Sequence, residues 1–219
     1  MIRALFEKTG NAIYISHLDL MRLFQRAFQR AGLPLTHTQG FNPRPSVSIA
    51  LPLSLGVESR CELLDFDLAA GSFTDDEILA RLNQALAEGV RVLQVYRDGR
   101  KIRELALLDC QVTLEYDAGI PENAVEKITD LFARDDVIVE KKGKNGPVEQ
   151  DILPMIRRLS IGAGEENCLE LRARICCQNP TLNPALLAAA IERYLPEFKP
   201  DFVRIRREEI YDAKETIFR

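Results

Sequence analysis

What most constrains this chain is the order in which its periodicities change. Residues 2–8 alternate, with Ile2, Ala4 and Phe6 against Arg3, Leu5 and Glu7, which predicts a strand. Ser16 is a good N-cap, and Leu20, Met21, Phe24, Ala27, Phe28 and Ala31 recur at helical spacing before Gly32 and Pro34, predicting a helix over 17–31. Strands at 46–51 and 61–68 follow, then a Thr74-capped helix over 75–88 and a strand at 90–96. Strand, helix, strand, strand, helix, strand is the ferredoxin-like βαββαβ order.

The charged segment Arg97-Asp98-Gly99-Arg100-Lys101 reads as a junction, after which the order repeats. Strands are expected at 107–115, 137–140, 169–177 and 203–209, with helices over 122–134 and 184–194. Residues 152–159 are ambiguous, and Lys141, Lys142 and Lys144 fall at a Gly- and Asn-rich hairpin tip. The expected fold is α+β, two tandem ferredoxin-like domains over 1–103 and 104–219. At 219 residues each has room for its own core.

Composition removes several function classes. A net charge of −4 argues against coating nucleic acid through bulk charge. The charge is nevertheless segregated: residues 1–60 hold seven Arg and Lys against three Asp and Glu, and residues 61–100 hold four against eight. No apolar run approaches a membrane span, and residues 1–8 carry Arg3, Glu7 and Lys8, so neither membrane nor secretory signal is expected and the chain is placed in the cytoplasm. The five cysteines lack Cys-x-x-Cys and Cys-x3-Cys-x2-Cys spacing, so neither a zinc knuckle nor an iron–sulfur cluster is expected, and no cofactor or metal site is assigned. Asp65 and Asp67 share a strand face, a pattern that fits a cation but is commoner on solvated faces.

Two constellations suit chemistry. Gly40-Phe41-Asn42-Pro43-Arg44-Pro45-Ser46 sets an aromatic, an amide and a guanidinium on a segment that two prolines hold extended. Phe41 suits stacking on a base and Arg44 a phosphate; the same residues also suit a stiff connection whose Phe41 covers the core. Arg22, Arg26 and Arg30, spaced by four, form one helix stripe able to meet a phosphodiester backbone, or a solvated face with Asp19 pairing to Arg22. With Lys8, His17 and Gln39 these make the candidate RNA- or partner-binding set. His17 and His37 flank the same helix and loop and are the weak candidates for acid–base work on a phosphodiester; a cap and a surface residue are the plainer roles.

Tyr14-Ile15-Ser16-His17-Leu18-Asp19-Leu20-Met21-Arg22, Arg26 to Pro34, Gly40 to Pro45 and Pro52 to Ser59 resemble the radical SAM-linked protein family, bacterial domains found alone or fused C-terminally to a cobalamin-binding-type radical SAM protein. The resemblance spans essentially the whole chain, more loosely in the second half through residues 149–156, and the family pattern has His or Lys where this chain has Arg44. Family genes tend to lie near those for ribosome assembly and a ribonuclease of the G/E type. The resemblance implies a radical SAM protein as partner and an accessory role around RNA or ribosome modification, its mechanism unassigned; with the arginine stripe and the loop, the expectation is a non-catalytic module that binds RNA or a ribosomal particle. The tandem architecture is also similar to RNA-processing endonucleases of CRISPR systems, whose Gly-rich C-terminal loop has no match here. The alternatives are a docking module for the radical SAM protein and a metal-independent endoribonuclease using His17 or His37.

Overall fold

The computed structural model describes residues 1–143 and 146–219; Lys144 lies outside the described residues. It is a mixed α+β structure that divides into two compact units, Met1–Ile102 with Arg219, and Arg103–Phe218. Among the described residues no helix is long and apolar enough to cross a membrane, and no three His, Cys, Asp or Glu side chains gather as a metal site.

The N-terminal unit runs β1 (Ile2–Lys8), α1 (His17–Arg30), β2 (Val47–Ile49), β3 (Val57–Phe66), α2 (Asp75–Ala85) and β4 (Val90–Arg97). Its strands lie in the order β4-β1-β3-β2 with antiparallel pairings. Phe24 of α1 meets Phe6 of β1 edge-on at 4.8 Å between centroids, and Phe28 meets Phe66 of β3 at 4.7 Å. Leu20, Phe24, Ala27 and Phe28 are buried at the spacing that the amphipathic pattern requires. Each buried phenylalanine contributes roughly 2–3 kcal/mol by removing apolar surface from water.

Local chemistry sets the helix ends. Ser16 Oγ accepts from Asp19 N at 3.2 Å at the start of α1. At its end, Gly32 N donates to Gln29 O and Leu33 N to Phe28 O, a Schellman closure in which Gly32 takes φ +66. Thr74 and Glu77 form a capping box on α2. That helix stops at Ala85, short of the expected 88, because Leu86 turns extended at ψ 155.

The C-terminal unit runs β5 (Leu105–Glu115), α3 (Ala124–Phe132), β6 (Ile138–Gly143), β7 (Gly146–Asp151), β8 (Ile156–Ala163), β9 (Cys168–Cys176), α4 (Ala185–Tyr194) and β10 (Phe202–Asp212). Its sheet has the antiparallel order β10-β5-β9-β8, and β6 and β7 pair separately. The ambiguous 152–159 segment becomes a short turn at 153–155 and the first half of β8. Along β5, Leu108, Cys110, Val112 and Leu114 are buried, whereas Asp109, Gln111, Thr113 and Glu115 are half-exposed.

Candidate nucleic-acid interface

The helical spacing of α1 that buries Phe24 and Phe28 turns Arg22, Arg26 and Arg30 to solvent. All three line an open groove in the N-terminal unit, with Ile15, Asp19, Leu23 and Ala87 as its other walls. The three guanidiniums are not equivalent. Arg22 Nη1 pairs with Asp19 Oδ1 at 2.9 Å, and both side chains are exposed. Arg30 Nη2 donates to Ala85 O at 2.5 Å, satisfying a carbonyl at the C-terminus of α2. Arg26 makes no hydrogen bond or ion pair among the described residues and is exposed. Asp19 is also held by the Ser16 hydroxyl at 2.7 Å; that bond first, then Arg22, keeps its carboxyl below the usual carboxylate range. The groove thus carries three cations against one fixed anion.

The proline-rich segment forms a small hairpin. Thr36 N donates to Asp67 O, Ser46 N to Thr36 O and Thr38 N to Arg44 O, each at 2.8 Å, and Arg44 N reaches Thr38 Oγ1 at 3.0 Å. His37 and Pro45 bridge across its arms. Residues 39–43 form the tip, and Gln39, Phe41, Asn42 and Arg44 are all exposed. Phe41 is 104% exposed, so it covers no core. None of these four lines the α1 groove.

Lys8 departs most from its sequence-based assignment. It is fully buried, and Nζ donates to Ile13 O at 3.0 Å and Ile15 O at 2.8 Å. Its ammonium ties down the turn that leads into α1, which removes it from any surface contact. His17 is the first residue of α1, half-buried, and its Nδ1 is buried without a hydrogen-bond partner among the described residues. His37 is exposed on the hairpin arm. Asp65 pairs with the buried Arg3 at 2.6 Å, and Asp67, half-exposed, lies 2.9 Å from the Met1 nitrogen.

Tyr14 and Leu18 were not readable as candidates from sequence. Both are exposed, and Leu18 is one more step of four along the arginine stripe. The available signal was that spacing, since an amphipathic helix has no packing use for a leucine there.

A family model described as "Uncharacterized protein conserved in bacteria (DUF2344)" matches residues 1–184. The chain belongs to the DUF2344 family. The match takes in the α1 stripe and the 36–46 hairpin and ends just before α4. No curated protein matches the chain. Among solved structures, a Cbf5–Nop10–Gar1 complex aligns at 8% identity and TM-score 0.49, over 94% of this chain and 48% of that one. This DUF2344 chain therefore spans about half the length of that chain. A protein from Galdieria sulphuraria, described as unknown, aligns at 13% identity and TM-score 0.26, over 94% of this chain and 96% of that one.

Proposed function

We propose that this DUF2344 chain is a non-catalytic accessory module of a radical SAM system that binds RNA or a ribonucleoprotein in the cytoplasm, in tRNA or rRNA modification or ribosome assembly. Arg22, Arg26 and Arg30 meet phosphates, while Phe41, Asn42 and Arg44, with Gln39, meet an unstacked base. The observation that carries this reading is Phe41 held wholly in solvent on a braced hairpin, in the same unit as an arginine-lined groove. An aromatic residue that buries nothing is available for stacking. Each unit is read as a ferredoxin-like domain: the N-terminal sheet supports this with the order fourth, first, third, second, and the C-terminal sheet follows the same order once the separate β6–β7 hairpin is set aside. The radical SAM partnership rests on the motif resemblance.

The test is filter binding of the full chain to labelled RNA at low salt. Reversing Arg26 and Arg44 together to Glu is expected to weaken binding at least about tenfold, because charge-assisted contacts to phosphate are worth roughly 1–3 kcal/mol each. A wild-type protein without RNA affinity sinks the reading. Phe41 also favours docking onto the radical SAM protein; co-purification that survives loss of the arginine stripe but not of residues 41–43 selects that alternative. Incubating labelled RNA with wild type and a His17→Ala/His37→Ala variant tests the endoribonuclease: no cleavage by either removes it.

A further inference from the structure

The half-exposed face of the sheet in the C-terminal unit holds an arrangement of arginines that the reading above does not use. Arg158 of β8 lies directly across from Arg174 of β9. Like charges placed opposite one another on neighbouring strands repel. A single carboxylate resolves the clash: Glu215 accepts from Arg174 Nη1 at 2.6 Å and also from Arg158 Nη2. Arg174 is held on several sides. Its other edge pairs with Asp109 through two bonds of 2.7 and 2.8 Å, and its Cζ lies 3.9 Å from the Tyr211 ring centroid.

One register step along, Ser160, Arg172, Gln111 and Arg206 form a row across four strands, and Arg206 Nη2 donates to Gln111 Oε1 at 2.9 Å. Between the rows is an open hollow of about 430 Å³, lined by four guanidiniums, Arg158, Arg172, Arg174 and Arg206, against two carboxylates, Asp109 and Glu208.

We propose that this hollow binds a phosphoryl group, and that Glu215 occupies the anion position between Arg158 and Arg174 until the ligand displaces it. Arg172 meets Glu170, Arg206 meets Glu208 and Arg174 meets Asp109, so moving Glu215 aside leaves four guanidiniums against three carboxylates and opens one cationic position for a phosphoryl anion. Guanidinium forks fit phosphate oxygens two at a time. Arg158 and Arg172 are 68% and 71% exposed, so their pairings with Glu215 and Glu170 are solvent-screened and exchange at little cost. Glu215 holds its place from a turn in which it takes φ +61, a conformation that residues other than glycine rarely adopt. The phosphoryl group comes either from a nucleic-acid chain or from a free phosphorylated small molecule.

Isothermal titration of the full chain at low salt tests this, with inorganic pyrophosphate as probe and circular dichroism to confirm that each variant is folded. One pyrophosphate is expected to bind per chain. Arg172→Gln and Arg206→Gln each weaken it at least tenfold, Glu215→Gln tightens it at least threefold, and Lys127→Gln, on α3, leaves it unchanged. Competition with 5′-phosphorylated and unphosphorylated oligouridylate separates the sources. Displacement by both oligonucleotides assigns the site to the phosphodiester chain, displacement by the phosphorylated one alone to a terminal phosphate, and displacement by neither to a free small molecule. Absence of binding in both wild type and Glu215→Gln overturns the proposal. So does equal weakening by Lys127→Gln, or a folded Arg172→Gln that binds as wild type.

Discussion

Replacing Lys8 with Met separates an anchoring role from a contact role. Methionine keeps the length of the buried stem and removes the ammonium, which leaves Ile13 O and Ile15 O without the donor that holds them at 3.0 and 2.8 Å. Hydrogen bonds from a charged donor are worth about 1.5–3 kcal/mol each. Two of them, less about 1 kcal/mol regained because the ammonium itself is no longer buried, give a destabilisation of about 3 kcal/mol. For a urea slope near 2 kcal/mol/M, that lowers the unfolding midpoint by about 1.5 M. Far-UV circular dichroism through a urea series measures it, and filter binding at 10 °C on the folded variant reports RNA affinity, expected within about threefold of wild type. An unchanged midpoint with a large loss of affinity refutes the reasoning and returns Lys8 to the contact set.

Asp65→Ala removes the carboxylate from Arg3, whose side chain is 1% exposed and which holds Asp65 by bonds of 2.6 and 2.9 Å directly across β1 and β3, and leaves the buried guanidinium its bond to Arg100 O at 2.8 Å. Breaking a buried pair from one side costs about 3–5 kcal/mol, a fall in Tm of roughly 6–20 °C for a protein this size. A calorimetric scan checks it, and a Tm within 2 °C of wild type refutes it. Alkaline stability tests the C-terminal unit. Burial pushes both the Cys110 thiol and the Tyr116 hydroxyl up to about 12, from ordinary values of 9.0 and 10.0. Both groups are neutral in the folded state at pH values where the unfolded chain ionises. Their contribution is therefore complete below pH 9 and is lost as pH rises towards 12. Urea midpoints at about pH 8, 10 and 11.5 are expected to fall in that order, and a flat profile contradicts the burial argument.

Local chemistry made most of the helices readable. Ser16 and Gly32 bracket α1 within a residue of its expected ends, and Thr74 marks the start of α2. The C-terminus of α2 was not readable, since residues 86–88 are helix-compatible and Leu86 leaves the helix through tertiary packing. β8 was obscured because Ile156, Leu159 and Ile161 do not keep a period of two; its register shifts between Ile156 and Arg158. At the site, exposure of the arginine stripe follows from helical spacing alone. The burial of Lys8 does not, because it depends on the bulge between Phe6 and Lys8 and on carbonyls of the next turn. That the hairpin residues do not line the groove is likewise tertiary: both lie in one unit, and no local pattern records which walls the groove receives.

The 36–46 hairpin closes on itself through its own main chain before residues 39–43 begin. Side-chain changes at exposed Phe41 and Asn42 therefore remove no buried contact, whereas Gly40, at φ +144, sits in a backbone region that other residues rarely adopt. A lineage can vary those two side chains one substitution at a time without passing through misfolded intermediates.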